Sequence, residues 1–359
     1  MSKRLFVIFA ALMVAGMIMS ACGPQAPEFE CTDEIGCVDI APGESVHIAS
    51  MLTISGATAY LGEDSAGAIE LAIDDRGGEL LGHPIEYTSE DSGCSPEGGQ
   101  TAATKVAADP TILGVVGTNC SSAASAALET ISSAGLVMIS SSNTAPNLTL
   151  ENELWKPGYY RVCHTDLFQG AVAAEFAYNE LGARTASTIH DGSVYADQLQ
   201  AVFAKRFVEL GGEMTFQGAI NIGDTDMRAV LTTVAADSPD ILYVPIFEPE
   251  GPFIIAQSSE VAGLENTTLM SADGMLSASV PENGGPNAVG MYLSGPYVVG
   301  EAYDEFLADW DAKFSGAPPS GFHAFAYDAT NILFDAIEAA ADVDEDGTLH
   351  VGRQAMRDY

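Results

Sequence analysis

The sequence predicts an α/β fold made of two doubly wound lobes, each a parallel β-sheet covered by helices. From about His47 onward, short β-rich runs alternate with longer helical patterns, as is typical of parallel sheets with helices on both faces. The alternation occurs in two successive series, which predicts two lobes. At 359 residues and 47% hydrophobic content, the chain is long enough for two domains, each with its own core.

The first series predicts four strands with three helices between them. The strands are HIASMLTI, PIEYTSED, ILGVVG and LVMIS. The helices run from about Tyr60 to Asp75, through TAATKVAAD and through AASAALETISSA.

The second series begins near Tyr159 and predicts four more strands and their helices. The strands are TASTIH, MTFQGAI, ILYVPIF and TLMSAD. The helices lie at about 167–181, 194–210, 226–236 and 250–262.

The N-terminus carries the features of a secretion signal. Lys3 and Arg4 precede an uncharged apolar run of about 15 residues that ends before Cys22. The run is shorter than the roughly 20 residues that span a bilayer. Its end resembles a bacterial lipobox, which implies a signal peptide over residues 1–21 and acylation of Cys22. Residues 22–45, rich in Pro, Gly and acids, are predicted to link this lipid anchor to an extracytoplasmic folded body.

The charge excludes one class of partner. The chain has 13 Lys plus Arg against 50 Asp plus Glu, for a formal net charge of −37. Nucleic acid is therefore not an expected partner, and anionic lipid headgroups would repel this surface. A solvated surface suited to solubility is the favoured interpretation, with an acidic patch for a specific partner as the alternative.

Export allows the remaining cysteines to pair. Cys31 and Cys37 could close a small loop, and Cys94 with Cys120 could tie a strand end to the next helix start. Cys163 would then remain as a buried thiol. A metal site is not expected, because CxxC spacing is absent from the sequence and the six histidines are scattered.

Hydroxyl side chains cluster after two strands of the first series. The segment 118–122 follows ILGVVG, and the segment 140–144 follows LVMI. In open parallel sheets, ligands bind beyond the carboxyl ends of the strands. Ser121 and Ser122 also precede a helix, whose free N–H groups favour a carboxylate. Simple N-capping by serine is the alternative.

The chain closely resembles the leucine/isoleucine/valine-binding proteins, the type I solute-binding components of ABC importers. The resemblance runs from about His47 to Tyr303 and rests on SMLTISGATAYLGEDSAGAIELAIDD, GVVGTNCSSAASAA, SSSNTAPNLT, IHDGSVYADQL and LMSADG. It implies a type I periplasmic binding protein fold with a multi-strand hinge and a ligand cleft between the lobes. It also implies a monomer that needs no cofactor, binds a neutral branched-chain or related small amino acid, and delivers it to a membrane permease.

The same resemblance implies domain boundaries and a disulfide. The first lobe would comprise residues 46–162 and 297–359, and the second residues 163–296. Helices at EAYDEFLADWDAKF and AFAYDATNILFDAIEAAAD would pack on the first lobe. Family members often carry a disulfide that ends just before the first binding serine, and Cys94 with Cys120 fits it. They also continue beyond the position of Tyr359, so the C-terminal end of the fold is expected to be missing.

Seven ligand-binding residues follow from the resemblance. Ser121 would hold the ligand carboxylate, and Asp273 would hold the α-ammonium group. The rest of the set completes the first-lobe half of the site and its aromatic wall: Ser142, Thr144, Tyr195, Phe247 and Tyr60. Two positions depart from the family pattern, since Asp273 stands where a glutamate is usual and Phe247 replaces a tyrosine.

Two other functions of the chain are possible. A ligand-binding sensor ectodomain of the same fold would recognise an amino acid or amide without delivering it to a permease. A hydrolase is less expected, because GxSxG, GxxxxGK[ST], HExxH and a GxGxxG after a strand are all absent from the sequence. His164 and His190, which end strands, would be its candidate bases.

One further motif imitates a calcium-binding loop. Residues 342–347, DVDEDG, place acids at positions 1, 3 and 5 and glycine at position 6. Position 12 is Arg353 instead of glutamate. An acidic surface turn is therefore the predicted structure.

Overall fold

The computed structural model describes residues 29–359. The predicted signal peptide (residues 1–21) and the predicted lipidation site Cys22 lie outside this range. Among the residues that are described, no helix is both long and apolar enough to cross a bilayer. Residues Asp33–Tyr359 form one compact unit that contains three β-sheets.

The strands are numbered in chain order. They are β1 (Cys37–Ile40), β2 (Val46–Leu52), β3 (Glu79–Leu80), β4 (His83–Asp91), β5 (Ile112–Gly117), β6 (Val137–Ser140), β7 (Tyr159–Arg161), β8 (Thr185–His190), β9 (Glu213–Ala219), β10 (Ile241–Tyr243), β11 (Thr268–Ser271), β12 (Tyr292–Leu293), β13 (Ala341–Val343) and β14 (Leu349–Gly352).

The α-helices are numbered in the same way. They are α1 (Tyr60–Asp75), α2 (Pro96–Ala108), α3 (Ser121–Ser133), α4 (Asp166–Glu175), α5 (Val194–Glu209), α6 (Arg228–Ala235), α7 (Glu250–Ser258), α8 (Ser279–Gly284), α9 (Glu301–Phe314), α10 (His323–Ala340) and α11 (Arg353–Asp358).

The first sheet has the order β3-β4-β2-β5-β6-β7, and all its neighbouring strands are parallel except β3 and β4. Helices cover both of its faces. In the central strand β2, Ile48 packs on one face with residues of α1 and α10, and Met51 packs on the other with residues of α2 and α3. Every residue of β2 is buried, as expected for a parallel strand between two helical layers.

The second sheet has the order β12-β11-β10-β8-β9, and all its neighbouring strands are parallel. One large core cluster joins its strands to α4, α5, α6 and α7. Phe203 of α5 stacks on Tyr243 of β10 with ring centroids 4.3 Å apart. The predicted fold class, two parallel sheets covered by helices, is thus confirmed.

Strand ends differ from the prediction where proline intervenes. The run ILYVPIF was predicted as one strand, but β10 ends at Tyr243. Pro245 lacks the N–H that a central strand would donate to its neighbour, so the ladder stops before it. Phe247 therefore lies in a loop beyond the carboxyl end of the strand, where it packs against the edge of the sheet core and lines the ligand region.

A third, antiparallel sheet has the order β1-β14-β13. Strand β1 lies inside the segment predicted as a linker, which is therefore not unstructured up to residue 45. The acidic segment 342–347 ends strand β13 and continues into the turn before β14, where the backbone N–H of Gly347 donates to Asp344 O at 2.9 Å. The Asp344 carboxylate lies 3.1 Å from His350 Nε2, so this segment is a β-hairpin turn.

The chain passes between the two large sheets at two places. It leaves the first sheet after β7 and returns after β12, since α9 and α10 pack against α1. These crossings lie close to the predicted boundaries at residues 162 and 297. The assignment of residues to two lobes remains a prediction.

The five cysteines within residues 29–359 fall into two groups, those in disulfides and one free thiol. Cys94 and Cys120 form a disulfide, and Cys31 and Cys37 are both disulfide-bonded. Cys163 is a buried free thiol. Burial raises its pKa to about 12, so the thiol stays protonated and unreactive at neutral pH.

Candidate functional site

The carboxyl ends of the strands of both large sheets face a shared small cavity, here called the inner cavity. Its volume is about 10 Å³, roughly the space that one water molecule requires. Five predicted site residues line it, together with three that were not predicted. They are Ser121, Ser142, Tyr195, Phe247 and Asp273, and then Leu61, Asn119 and Phe322.

The first sheet contributes hydroxyl and backbone donors to the inner cavity. Ser121 begins α3, and the first N–H groups of a helix have no partner within it. The Ser121 hydroxyl accepts a hydrogen bond from Ala145 N at 3.3 Å, and Ser142 Oγ donates to Asn119 O at 3.0 Å. Ser121 and Ser142 are both buried. This edge of the cavity is therefore suited to a carboxylate.

The second sheet contributes a buried carboxylate. Asp273 follows β11 and is 4% exposed. Its Oδ1 accepts hydrogen bonds from Gln169 Nε2 at 2.5 Å and from the Tyr195 hydroxyl at 3.0 Å. Burial raises the pKa of Asp273, while nearby His164 and the two hydrogen bonds lower it in part. No lysine or arginine of the described chain forms an ion pair with Asp273, so a ligand cation could supply its counter-charge.

Tyr195 holds the Asp273 loop in place. Its hydroxyl donates to Asp273 and accepts a hydrogen bond from Gly274 N at 3.2 Å. Its ring lies 4.9 Å from the ring of Phe247. The pKa of Tyr195 is raised well above its ordinary value by burial and then by Asp273, so the phenol stays a donor at neutral pH. Tyr195 and Phe247 thus form an aromatic wall next to the carboxylate.

The structure places Tyr60 outside the cavity lining. Its hydroxyl donates to Gly274 O at 2.6 Å, which joins α1 of the first sheet to the Asp273 loop. Its neighbour Leu61 is the residue of α1 that lines the cavity. Tyr60 packs in the same cluster as Leu61, Phe322 and Phe247, so its ring lies next to the cavity lining. The sequence had suggested Tyr60 for the wall.

Thr144 is also absent from the lining, although it lies directly behind it. Its backbone O accepts a hydrogen bond from Asp166 N at 3.0 Å. Both residues are fully buried. Neither oxygen of Asp166 has a hydrogen-bond partner of normal geometry among the described residues, although the Thr144 hydroxyl is close enough to lower its pKa.

Asp166 was not predicted as a site residue from the sequence. Burial raises its pKa well above the ordinary value, and the nearby Asp273 carboxylate raises it further. The two acids therefore share one poorly solvated region. An aspartate after threonine at a helix start has the usual pattern of a cap, so only the tertiary structure distinguishes Asp166 from a capping residue.

Several hydrogen bonds join the two sides of the site. Besides the Tyr60 contact, Val194 N donates to Ser122 Oγ at 3.0 Å, and Asn147 N donates to Gln198 Oε1 at 3.3 Å. These donors and acceptors are on opposite sides of the cleft. These bonds hold the two sides of the cleft together, so the structure is a closed arrangement.

The two histidines considered as bases lie outside the cavity lining. His164 Nε2 lies 2.5 Å from Gln169 Oε1, and Gln169 in turn binds Asp273. His190 Nδ1 accepts from Gly192 N at 3.2 Å. His164 thus supports the cleft wall through Gln169, and His190 supports a turn.

The chain is similar to known binding proteins over most of its length. The periplasmic binding protein family matches residues 45–358. An amino acid binding protein of Pseudomonas aeruginosa is 28% identical over 294 residues, covering 80% of this chain and 76% of the relative. A leucine-, isoleucine-, valine-, threonine- and alanine-binding protein of the same organism is 25% identical, covering 96% of this chain and 86% of the relative.

A solved structure agrees with these relatives. The crystal structure of a leucine binding protein from Thermotoga maritima superposes with a TM-score of 0.78 at 25% identity, covering 87% of this chain and 86% of that chain. These relatives are solute-binding proteins, and the resemblance found in the sequence is confirmed. The chain belongs to the periplasmic binding protein family.

Proposed function

We propose that this protein is the extracytoplasmic substrate-binding component of an ABC importer. It captures a small amino acid with a neutral, branched-chain or related side chain and delivers it to membrane permease subunits. Its named relatives bind amino acids. It acts by binding alone, as a monomer and without a cofactor.

The observation that carries this proposal is that hydrogen-bond donors and a carboxylate lie on opposite sides of the inner cavity. Hydroxyls and the start of helix α3 lie on one side, and Asp273 lies on the other, where no lysine or arginine of the described residues pairs with it. A zwitterion requires donors at its carboxylate and a carboxylate at its ammonium group. Asp166 lies close enough to Asp273 for the Asp273 carboxylate to raise its pKa.

The ligand enters while the cleft is open. An inner cavity of about 10 Å³ has no room for an amino acid, so the edges of the two sheets must separate for one to enter. The contacts of Ser122 with Val194 and of Tyr60 with Gly274 then form again around the ligand as the cleft closes. Hinge closure of this type couples ligand binding to a shape that a permease can recognise.

Attachment to the membrane is the second part of the proposal. Cys22 would carry the lipid, and the acidic residues that follow would keep the folded body away from anionic headgroups. Replacing Cys22 with serine should release the protein from the membrane fraction. Unchanged membrane association in that variant would refute the lipid anchor without affecting the binding proposal.

Calorimetric titration of the mature protein tests the ligand class. L-leucine is compared with its α-keto acid, which lacks the ammonium group, and with 3-methylbutylamine, which lacks the carboxylate. We expect both analogues to bind at least about a hundredfold more weakly, because each leaves one buried polar end of the site unpaired. Equal affinity for leucine and either analogue would contradict the proposal.

A further inference from the structure

A second cavity, here called the outer chamber, adjoins the inner cavity. Its volume is about 230 Å³, and Ser121, Tyr195 and Phe247 line both spaces. A ligand whose amino and carboxyl groups lie in the inner cavity would therefore extend its side chain into the outer chamber.

Loops at the carboxyl ends of strands from both sheets form the outer chamber. The first sheet contributes segments 55–58 and 93–95, and the second contributes Ile222 and segment 247–250. Part of the wall is apolar, because the Cys94–Cys120 disulfide, Ile222 and Phe247 all face it. Such a wall suits the hydrocarbon stem of a side chain.

Two buried carboxylates at this chamber set it apart from a purely apolar subsite. Asp191 is 5% exposed and Glu250 is 3% exposed, and both line the chamber. Ser193 N donates to Asp191 Oδ1 at 2.8 Å, and Gly223 N donates to Glu250 Oε1 at 2.6 Å. The second oxygen of each makes no hydrogen bond with any residue in the described range 29–359.

Glu248 also lines the chamber, but its carboxylate is already occupied. It accepts hydrogen bonds from the hydroxyls of Ser277 at 2.5 Å and of Ser279 at 2.6 Å. Among the described residues, no lysine, arginine or histidine lines either cavity. The two open carboxylate oxygens of Asp191 and Glu250 therefore have no counter-charge from the protein.

We propose that the outer chamber is a side-chain subsite that accepts a terminal ammonium or guanidinium group, so that the ligand range includes amino acids with a cationic side chain. This inference rests on the proposed function, since the inner cavity must hold the α-amino and α-carboxyl groups. A carboxylate oxygen that faces a chamber without a partner can accept charge-assisted hydrogen bonds from a ligand cation. The apolar wall would contact the methylene stem, and Asp191 and Glu250 would receive the charged end.

The test compares side chains of equal length in the full mature protein. L-lysine and 6-hydroxy-L-norleucine differ only in the ammonium or hydroxyl at the end of the stem, and L-leucine reports on the inner cavity. We expect lysine to bind about tenfold or more tightly than the hydroxyl analogue, since charge-assisted hydrogen bonds are about twice as strong as neutral ones. Lysine binding no more tightly than the analogue would overturn the inference.

Two conservative variants test whether Asp191 and Glu250 cause the preference for lysine. Asp191→Asn and Glu250→Gln each keep the oxygen that accepts the backbone N–H but remove the charge. Each should bring the affinity ratio of lysine to its hydroxyl analogue closer to one. Glu213→Gln, an exposed position at the opposite end of β9, should keep the wild-type ratio. An unchanged ratio in both chamber variants would overturn the assignment.

The outcomes also separate this inference from the proposed function. If leucine binds and lysine does not, only the cationic subsite is wrong. If neither of these amino acids binds, both this inference and the proposed function fail.

Discussion

Ser122 of helix α3, which packs on the first sheet, accepts a hydrogen bond of 3.0 Å from the backbone N–H of Val194, the first residue of helix α5 on the second sheet. The first N–H groups of a helix have no intrahelical partner. A hydroxyl on one side of the cleft thus accepts a hydrogen bond from the first N–H group of a helix on the other side. This contact exists only when the two sheets are close together.

Ser122→Ala should weaken ligand binding by favouring the open arrangement. One lost hydrogen bond is worth about 1 kcal/mol, or about fivefold in affinity, measured by titration calorimetry. Ser125→Ala is the matched control, because its hydroxyl donates to Ser122 O within the same helix at 2.8 Å. Equal losses in the two variants would argue against a role for Ser122 in closure.

Ligand affinity should fall as the pH is lowered from 7 toward 4.5. The pKa values of Asp166 and Asp273 are raised by burial, so these carboxylates protonate at a higher pH than ordinary ones and then no longer attract an ammonium group. Asp273→Asn should flatten the pH dependence. A wild-type affinity that is constant over this range would contradict the assignment.

The stability of the ligand-free protein should show the opposite trend. A carboxylate whose folded pKa lies above its unfolded value of about 3.9 takes up protons on folding between those two values. The contribution of Asp166 and Asp273 to the free energy of unfolding is therefore largest at low pH and decreases as the pH rises through their folded pKa values. Asp166→Asn, followed by urea unfolding at several pH values, should reduce this slope, and an unchanged slope would exclude Asp166 as its source.

Asp64 should be a major determinant of stability. It is fully buried and accepts hydrogen bonds from Ser320 N and Phe322 N, each at 3.0 Å, and lies 3.1 Å from His323 Nδ1. Asp64→Ala removes one side of this network, which typically costs about 3–5 kcal/mol. It should also weaken ligand binding, because Phe322 lines the inner cavity.

A matched control for Asp64 lies on the same helix. Asp75 is exposed and accepts a hydrogen bond from the Tyr327 hydroxyl at 2.6 Å, so it joins the same pair of helices, α1 and α10, at the surface. Asp75→Ala should cost no more than about 1 kcal/mol. Comparable losses of unfolding free energy in the two variants would contradict the role given to Asp64.

The sequence predicts the regular parts of the fold closely, because local pattern and tertiary structure agree there. Helix α1 begins at Tyr60 and ends at Asp75, and β5 corresponds to ILGVVG, as their apolar periodicity predicted. The hairpin of β13 and β14 was not predicted as strands, because its strands are short and its turn imitates a calcium loop.

The candidate site is only partly predictable for geometric reasons. Resemblance named Ser121, Ser142 and Asp273, which line one cavity, and it did not name Leu61, which also lines it. Asp166 and the carboxylates of the outer chamber become relevant only when loops distant in sequence meet. Whether a buried oxygen has a hydrogen-bond partner depends on the tertiary structure, and the sequence pattern alone does not show it.

The most direct test of the central claim is calorimetric titration of L-leucine into the wild-type protein and the Asp273→Ala variant. If the first-sheet hydroxyls and Asp273 hold opposite ends of one zwitterion, the variant should lose at least about a hundredfold in affinity, since the ligand ammonium would remain buried without a counter-charge. Its ligand-free melting temperature should not fall below that of the wild type by more than a few degrees. A variant that is folded and binds leucine within about threefold of the wild type would contradict the account.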